Sequence, residues 1–140
     1  MRVIVLIDRD GDDCAQLKER LEKEARSARL VTRATSPTEW VVATRIAARE
    51  LENWYFGDWT AVRRSFSQVA ERPPASYRNN PDCAAKKTSE AFVGVLRDAG
   101  IRLESKPTWA KRIAPHLEPE RNTSPSFRAF WKAVEELADP

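Results

Sequence analysis

The first residues constrain this chain more than any others. Val3-Ile4-Val5-Leu6-Ile7 is an unbroken run of β-branched residues and leucine, and it stops at Asp8-Arg9-Asp10-Gly11-Asp12-Asp13. An apolar run of strand length with no polar alternation predicts a strand covered on both faces, central in a parallel sheet. Gly11 is expected to let the chain turn. Asp12 or Asp13 then stands where a helix needs a side-chain oxygen to cap its first free N–H groups. Cys14, Leu17, Leu21, Ala25 and Ala28 follow at helical spacing, and Arg26 and Arg29 suit the negative end of that helix. Trp40 to Ala47 is the next strand candidate, so the first third spells strand, turn, helix, strand: a βαβ unit.

Beyond Ala47 the pattern is mostly helical. Arg49 to Phe56 is short and aromatic, Gly57-Asp58 breaks it, and Trp59, Val62, Phe66 and Val69 resume at helical spacing. Pro73-Pro74 and Asn79-Asn80-Pro81 bracket a loop, the one candidate linker. A helix is predicted from about Lys86, with Phe92, Val95 and Leu96 inward and Gly100 closing it. Ile101 to Glu104 is expected to be extended. Pro107 starts a short helix that Pro115 ends, and Ser124-Pro125 opens the last amphipathic helix. The expected fold class is α/β: a short, mainly parallel sheet with a helical C-terminal half. One domain is expected over residues 1–140, a βαβ unit over 1–48 and a mostly helical part over 49–140.

Composition narrows the function classes. The chain has 140 residues, 41% hydrophobic and 32% charged, which suits a folded soluble domain rather than a disordered tail. No apolar run approaches the roughly 20 residues of a bilayer span, so no membrane partner is expected. The run after Met1 and Arg2 ends at Asp8, too early for a secretory signal. Cys14, Cys83 and His116 do not make a disulfide framework or a four-ligand zinc site, and a reducing cytoplasm is expected. The net charge of +3 is unevenly placed. Residues 72–128 hold 11 basic and 6 acidic side chains, while the tightest acidic cluster, Asp8, Asp10, Asp12 and Asp13, lies near the N-terminus. An acidic knot facing a basic field suits a metal-dependent enzyme working on phosphodiesters; a well-solvated surface is the plainer alternative.

The acidic turn carries the chemistry. Ligands of open α/β sheets bind at the carboxyl ends of the strands, where these residues fall. Asp8 and Asp10 are two apart, so extended backbone points both side chains the same way. Two adjacent carboxylates repel unless a cation lies between them, and Mg²⁺ takes one or two carboxylates plus water and phosphate oxygens. Asp12 and Asp13 are better explained as helix caps. An EF-hand would use Asp8, Asp10, Asp12 and Glu19, but it needs glycine where Asp13 stands and a helix before the loop. A haloacid dehalogenase-like phosphatase would use Asp8 as nucleophile and Asp10 as general acid/base; its threonine after the glycine is Asp12 here.

Three blocks widen the pattern. "IVLIDRDGDDC" (4–14), "IAARELENWYFGD" (46–58) and "SKPTWAKRIAPHLEPERNTSPSFRAFWKAV" (105–134) stand in the order found in the DUF4276 family, which the chain resembles. That family is related to the TOPRIM-like proteins of phage defence and of overcoming-lysogenization nucleases. The resemblance implies a TOPRIM-type core in which a Glu on the first strand and an Asp-x-Asp on a later one bind Mg²⁺ for phosphodiester chemistry, beside an ATPase partner. Asp8 and Asp10 match the Asp-x-Asp. The Glu-bearing portion that should precede it is expected to be missing. Glu50 and Glu52 are the candidate substitutes, and Glu52 is the acid that the family pattern marks.

The remaining candidates rank lower. Glu52 has a structural alternative, pairing with Arg45 or Arg49. Trp54, Tyr55, Phe56 and Trp59 have the faces to stack bases, but a helical aromatic cluster is more often core. Lys87, Lys106, Lys111, Arg112 and Arg128 are candidate phosphate contacts, of which Lys87 and Lys106 are retained; Lys106 also fits the family pattern. His116 and Cys14 are expected to be structural. The leading expectation is a Mg²⁺- or Mn²⁺-dependent TOPRIM-like nuclease, or an incomplete remnant of one. Its catalytic and metal-binding residues would be Asp8, Asp10 and Glu52. The rivals are a non-catalytic oligomerisation subunit, since an unpaired sheet edge invites a homo-oligomer, and the phosphatase.

Overall fold

The structure is a computed structural model, and it describes residues 1–138. Strands β1 (Val3–Asp8) and β2 (Val42–Ala47) pair in parallel, from Val3 opposite Val42 to Asp8 opposite Ala47. Helix α1 (Cys14–Ser27) makes the crossover between them. The helical half contains α2 (Asn53–Gly57), α3 (Trp59–Ser65), α4 (Thr88–Asp98), α5 (Lys106–Ile113) and α6 (Pro125–Ala138). The architecture is therefore α/β, with a small parallel sheet and helices through the C-terminal half.

Local chemistry sets the element ends. The Asp13 carboxylate accepts hydrogen bonds from the Ala15 and Gln16 N–H groups at 3.0 and 2.9 Å, which starts α1. Gly100, at φ +69°, takes the left-handed position after α4, as its place in the sequence predicts. Pro125 is the first residue of α6, and the Ser124 hydroxyl accepts from the Phe127 N–H at 3.2 Å.

The sheet is covered on both faces. Helix α1 turns Leu17, Glu22 and Ala25 inward; Thr44 of β2 donates its hydroxyl to the buried Glu22. On the other face α6 packs Ala133 with Ile4, Trp40 and Ala43, and Phe127 with Leu6, Ala47 and Trp54. Arg33 and Glu136 form a two-point ion pair that ties the end of α6 to the strand region.

β1 nevertheless departs from the central position that its composition predicts. Val3 is exposed and the other five residues are only half-buried. The reason is strand count. Among the described residues β1 has β2 as its one partner, so its outer edge is open. The far edge of β2 is taken at its start by residues 31–33, where the Val41 and Val42 N–H groups donate to the Val31 carbonyl. β2 also begins at Val42 rather than Trp40. Trp40 is instead a core anchor under the Arg2 guanidinium, which lies 4.9 Å from its ring centre.

The helical half has its own aromatic core. Phe92 is fully buried, with the rings of Tyr55, Phe56 and Trp109 centred 5.3, 5.8 and 5.3 Å away. Trp54, Tyr55, Phe56 and Trp59 are all buried, so no ring face is free for a base. Helix α3 ends at Ser65, earlier than the spacing of Phe66 and Val69 implies; both are buried past its end. Residues 101–104 belong to no helix or strand. The Pro-bracketed stretch is no linker either: it carries short 3₁₀ turns at Ala75–Tyr77 and Pro81–Cys83, and Tyr77 stacks on Phe56 at 3.9 Å.

Gly57, the last residue of α2, allows the closest approach in this half. A Cβ there would stand 2.1 Å from Asn122 Oδ1 and 3.0 Å from the Ser124 nitrogen. Asn122 is fully buried and donates to the Trp54 carbonyl at 2.9 Å, so it has no room to retreat. Gly57→Ala is expected to destabilise the fold by about 1–3 kcal/mol, the usual cost of overpacking, read as a lower urea midpoint at unchanged slope.

Candidate functional site

The parallel register brings two turns together at the carboxyl end of the sheet. Beyond the Asp8–Ala47 pair, the Arg9 N–H donates to the Ala47 carbonyl at 3.0 Å and the Asp10 N–H to the Arg49 carbonyl at 2.9 Å. Asp10 (φ 51°) and Arg49 (φ 65°) are both left-handed, and this last bond joins them. Gly11 stands in the turn as expected, closed by the Asp12 N–H to the Arg9 carbonyl at 3.0 Å, but the left-handed residue there is Asp10. Aspartate enters this region more readily than most residues, whereas a long side chain such as Arg49 is strained there, on the order of 1–3 kcal/mol.

Glu50 and Glu52 follow directly. Both are buried, at 4% exposure each. Glu50 accepts from the Ser89 N–H at 2.7 Å, the Ser89 hydroxyl at 2.8 Å and the Lys106 ammonium at 3.3 Å. It thereby caps the start of α4. Burial alone would push its carboxyl up, but Ser89 and Lys106 outweigh burial and hold it below the usual value. Glu52 meets the same Lys106 nitrogen at 2.9 Å. The two glutamates in turn raise Lys106 against the lowering effect of its partial burial. Lys106, expected on phosphate, thus sits between two acids. Glu52 does not pair with Arg45 or Arg49 as its alternative role supposed. Arg45 donates instead to the Ala129 and Thr44 carbonyls at 2.9 and 2.8 Å.

Asp8 is left uncompensated. Among the described residues no hydrogen bond reaches its carboxylate, and its pKa is raised. Burial is the main cause; Glu52, Asp10 and Glu50 add to it, and Lys106 opposes them. Tyr55 feels the same field: burial first, then Glu52 and Asp8, push its hydroxyl up to about 12. The charges of Glu52, Asp10 and Glu50 therefore bear on Asp8 across the strand ends, with one ammonium among them. The donors are all hard oxygens, the type that Mg²⁺ and Mn²⁺ take. As they stand, no three of the described His, Cys, Asp or Glu side chains converge closely enough to hold a metal.

A cavity of about 480 Å³ adjoins these acids, lined by Asp10, Gly11, Arg49, Glu50 and Lys87. Lys87 is therefore at the site. His116 contributes a backbone carbonyl to Arg121, and the Cys14 thiol lies 3.9 Å from an Arg9 nitrogen. The sequence considered Arg49 only as a partner for Glu52. The signal that places it is the register: with Asp8 opposite Ala47, Arg49 becomes the counterpart of Asp10.

The model of the family described as Domain of unknown function (DUF4276) matches residues 1–135, and the chain belongs to that family. No curated protein and no solved structure matches it.

The raised Asp8 pKa has a definite sign. Above its folded pKa the ionised carboxylate costs stability, and the cost vanishes as pH falls through that value toward the ordinary 3.8. Asp8→Asn is expected to melt higher than the unsubstituted protein at pH 7 in chelator. The gap should close in thermal melts taken at progressively lower pH. A variant less stable than the parent at pH 7 would contradict the repulsion described above.

Proposed function

We propose that this DUF4276 chain is a Mg²⁺- or Mn²⁺-dependent, TOPRIM-like phosphodiester hydrolase acting on nucleic acid, or the remnant of one. The observation that carries the reading is the Asp8 carboxylate, kept from ionising easily by burial and by Glu52, Asp10 and Glu50. A divalent cation relieves that repulsion. Asp8, Asp10 and Glu52 would hold the ion, with Glu52 in place of the glutamate that TOPRIM-like proteins carry on an earlier strand. Glu50 is less available, because Ser89 and Lys106 already occupy its oxygens. When bound, the ion would neutralise phosphate oxygens and supply an activated water. Lys87 would draw the anionic backbone toward the acids. A cytoplasmic setting, a role in phage defence and an ATPase partner belong to the same proposal. The phosphatase alternative gains no observation of its own.

A second reading, an oligomerisation subunit, rests on a different observation. β1 is apolar, half-exposed and unpaired along one edge among the described residues. Such an edge can extend the sheet into a second copy of the chain. Sedimentation velocity over a wide concentration range decides it: a monomer throughout removes this reading.

For the hydrolase, metal titration is the direct test. With ion at 100-fold over Kd, a domain of this size should gain about 2.7 kcal/mol, a rise in Tm of several degrees. Asp8→Asn and Asp10→Asn should lose the rise, and the parent protein should nick plasmid DNA with Mg²⁺. An identical metal response in parent and variants would remove the basis of the enzyme reading.

Lys106→Met separates the counter-ion from the ligands. It leaves Glu50 and Glu52 without their cation and should destabilise the protein in chelator. The expected loss is about 1–2 kcal/mol, below that of a fully buried pair because half of Lys106 is in water. Mg²⁺ should then stabilise this variant more than the parent.

A further inference from the structure

We propose that the cavity bordered by Asp10 and Gly11 is a phosphate subsite, in which Arg49 and Lys87 hold the anion. The inference takes its ligand class from the phosphodiester reading above. Its own basis is the charge balance of the cavity. The volume, about 480 Å³, lies within the range of roughly 300–1,000 Å³ usual for small-ligand sites. Of its charged lining, Glu50 already has its oxygens engaged by the Ser89 N–H and hydroxyl and by Lys106. Arg49, Lys87 and Asp10 remain.

Neither Arg49 nor Lys87 has a carboxylate partner among the described residues. Arg33 and Arg121 are among the cations that do: Arg33 grips Glu136 at two points, and Arg121 grips Asp58 through two bonds of 3.0 Å. The Arg49 Nε is shielded from solvent and still makes no hydrogen bond. A buried donor without a partner is unfavourable. Arg49 bears this in addition to its left-handed backbone, and the bond from the Asp10 N–H to its carbonyl fixes that backbone in place. Two unfavourable terms at one cavity-lining residue mark a position kept for a ligand. An arginine and a lysine without carboxylate partners at one cavity suit an oxyanion. The planar guanidinium matches two phosphate oxygens, and the exposed Lys87 adds a point charge. A phosphate held there borders Asp10, one of the proposed metal ligands. Lys106 is excluded from the role, because its ammonium is committed to Glu50 and Glu52.

The test is equilibrium binding to the whole protein in EDTA, by thermal shift and phosphorus NMR. The probes are inorganic phosphate and a short single-stranded DNA without terminal phosphate. The parent should bind. Arg49→Asn, which suits the left-handed backbone, and Lys87→Gln, at an exposed position, should each weaken binding by about tenfold or more. Lys111→Gln, at an exposed lysine outside the cavity lining, should leave it unchanged. Arg49-dependent binding of DNA alone assigns the site to a diester, and of inorganic phosphate alone to a free or terminal phosphate. No binding by the parent, or binding indifferent to both Arg49→Asn and Lys87→Gln, overturns the subsite. The Mg²⁺ response of the same proteins keeps the two proposals apart. Arg49-dependent anion binding without it leaves the subsite standing and removes the hydrolase; the reverse pattern removes only the subsite.

Discussion

The buried Glu50 carboxylate is the fastening on which the two halves of the molecule depend. It leaves the sheet directly after β2 and accepts three donors, two from Ser89 at the start of α4 and one from Lys106 at the start of α5. A buried charge is tolerable only when its lone pairs are filled, and here the filling groups come from the far half of the sequence. The next residues repeat the device. Asn53 donates to the Pro81 carbonyl at 3.0 Å, and Asp58 caps α3 while holding Arg121 and the Glu118 N–H. Asp82 completes it by accepting from Ser124 and Ser126 at the head of α6. The aromatic segment 53–59 is thus fixed by polar groups at its margins and by ring packing at its centre.

The same fastening explains why the strand ends are electrostatically tense. Holding Glu50 and Glu52 in place puts fixed negative charge beside Asp8, and one half-exposed lysine does not balance it. Stability alone would favour a neutral residue at Asp8 and glycine at the left-handed Arg49 and Asp10 positions. Such departures from local preference are the ones expected where a site serves a ligand rather than the fold.

Much of this was legible in the sequence. The apolar run, the capping Asp13, the Ser124-Pro125 start and Gly100 each act within a few residues, and each specified its element. The aromatic cluster was legible as core by residue type alone, whereas the split that sends Trp54 to Phe127 and Tyr55 and Phe56 to Phe92 was not. What was not legible depends on distant partners. The composition of β1 told of its faces but not of the edge left unpaired among the described residues. Phe66 and Val69 kept helical spacing past a helix that had ended, because burial fixed their positions. Tyr77 hid in a Pro-rich stretch. The Lys106 bridge joins residues more than fifty positions apart, and no local pattern announces such a pair. Asp8 and Asp10 were recognisable by type, whereas the unpartnered state of Arg49 emerges only from three-dimensional neighbours.

The pairing of Val3 with Val42 carries a consequence for how the molecule assembles. Parallel strands close a long loop before any ladder bond repays the lost chain entropy, and the face of this sheet waits further for α6, from residue 125 onward, to arrive. The helical half waits on partners at least as distant, since Asp58 holds Arg121 and the Trp54 carbonyl holds Asn122. Both halves therefore close long loops, and the topology gives neither of them precedence in assembly.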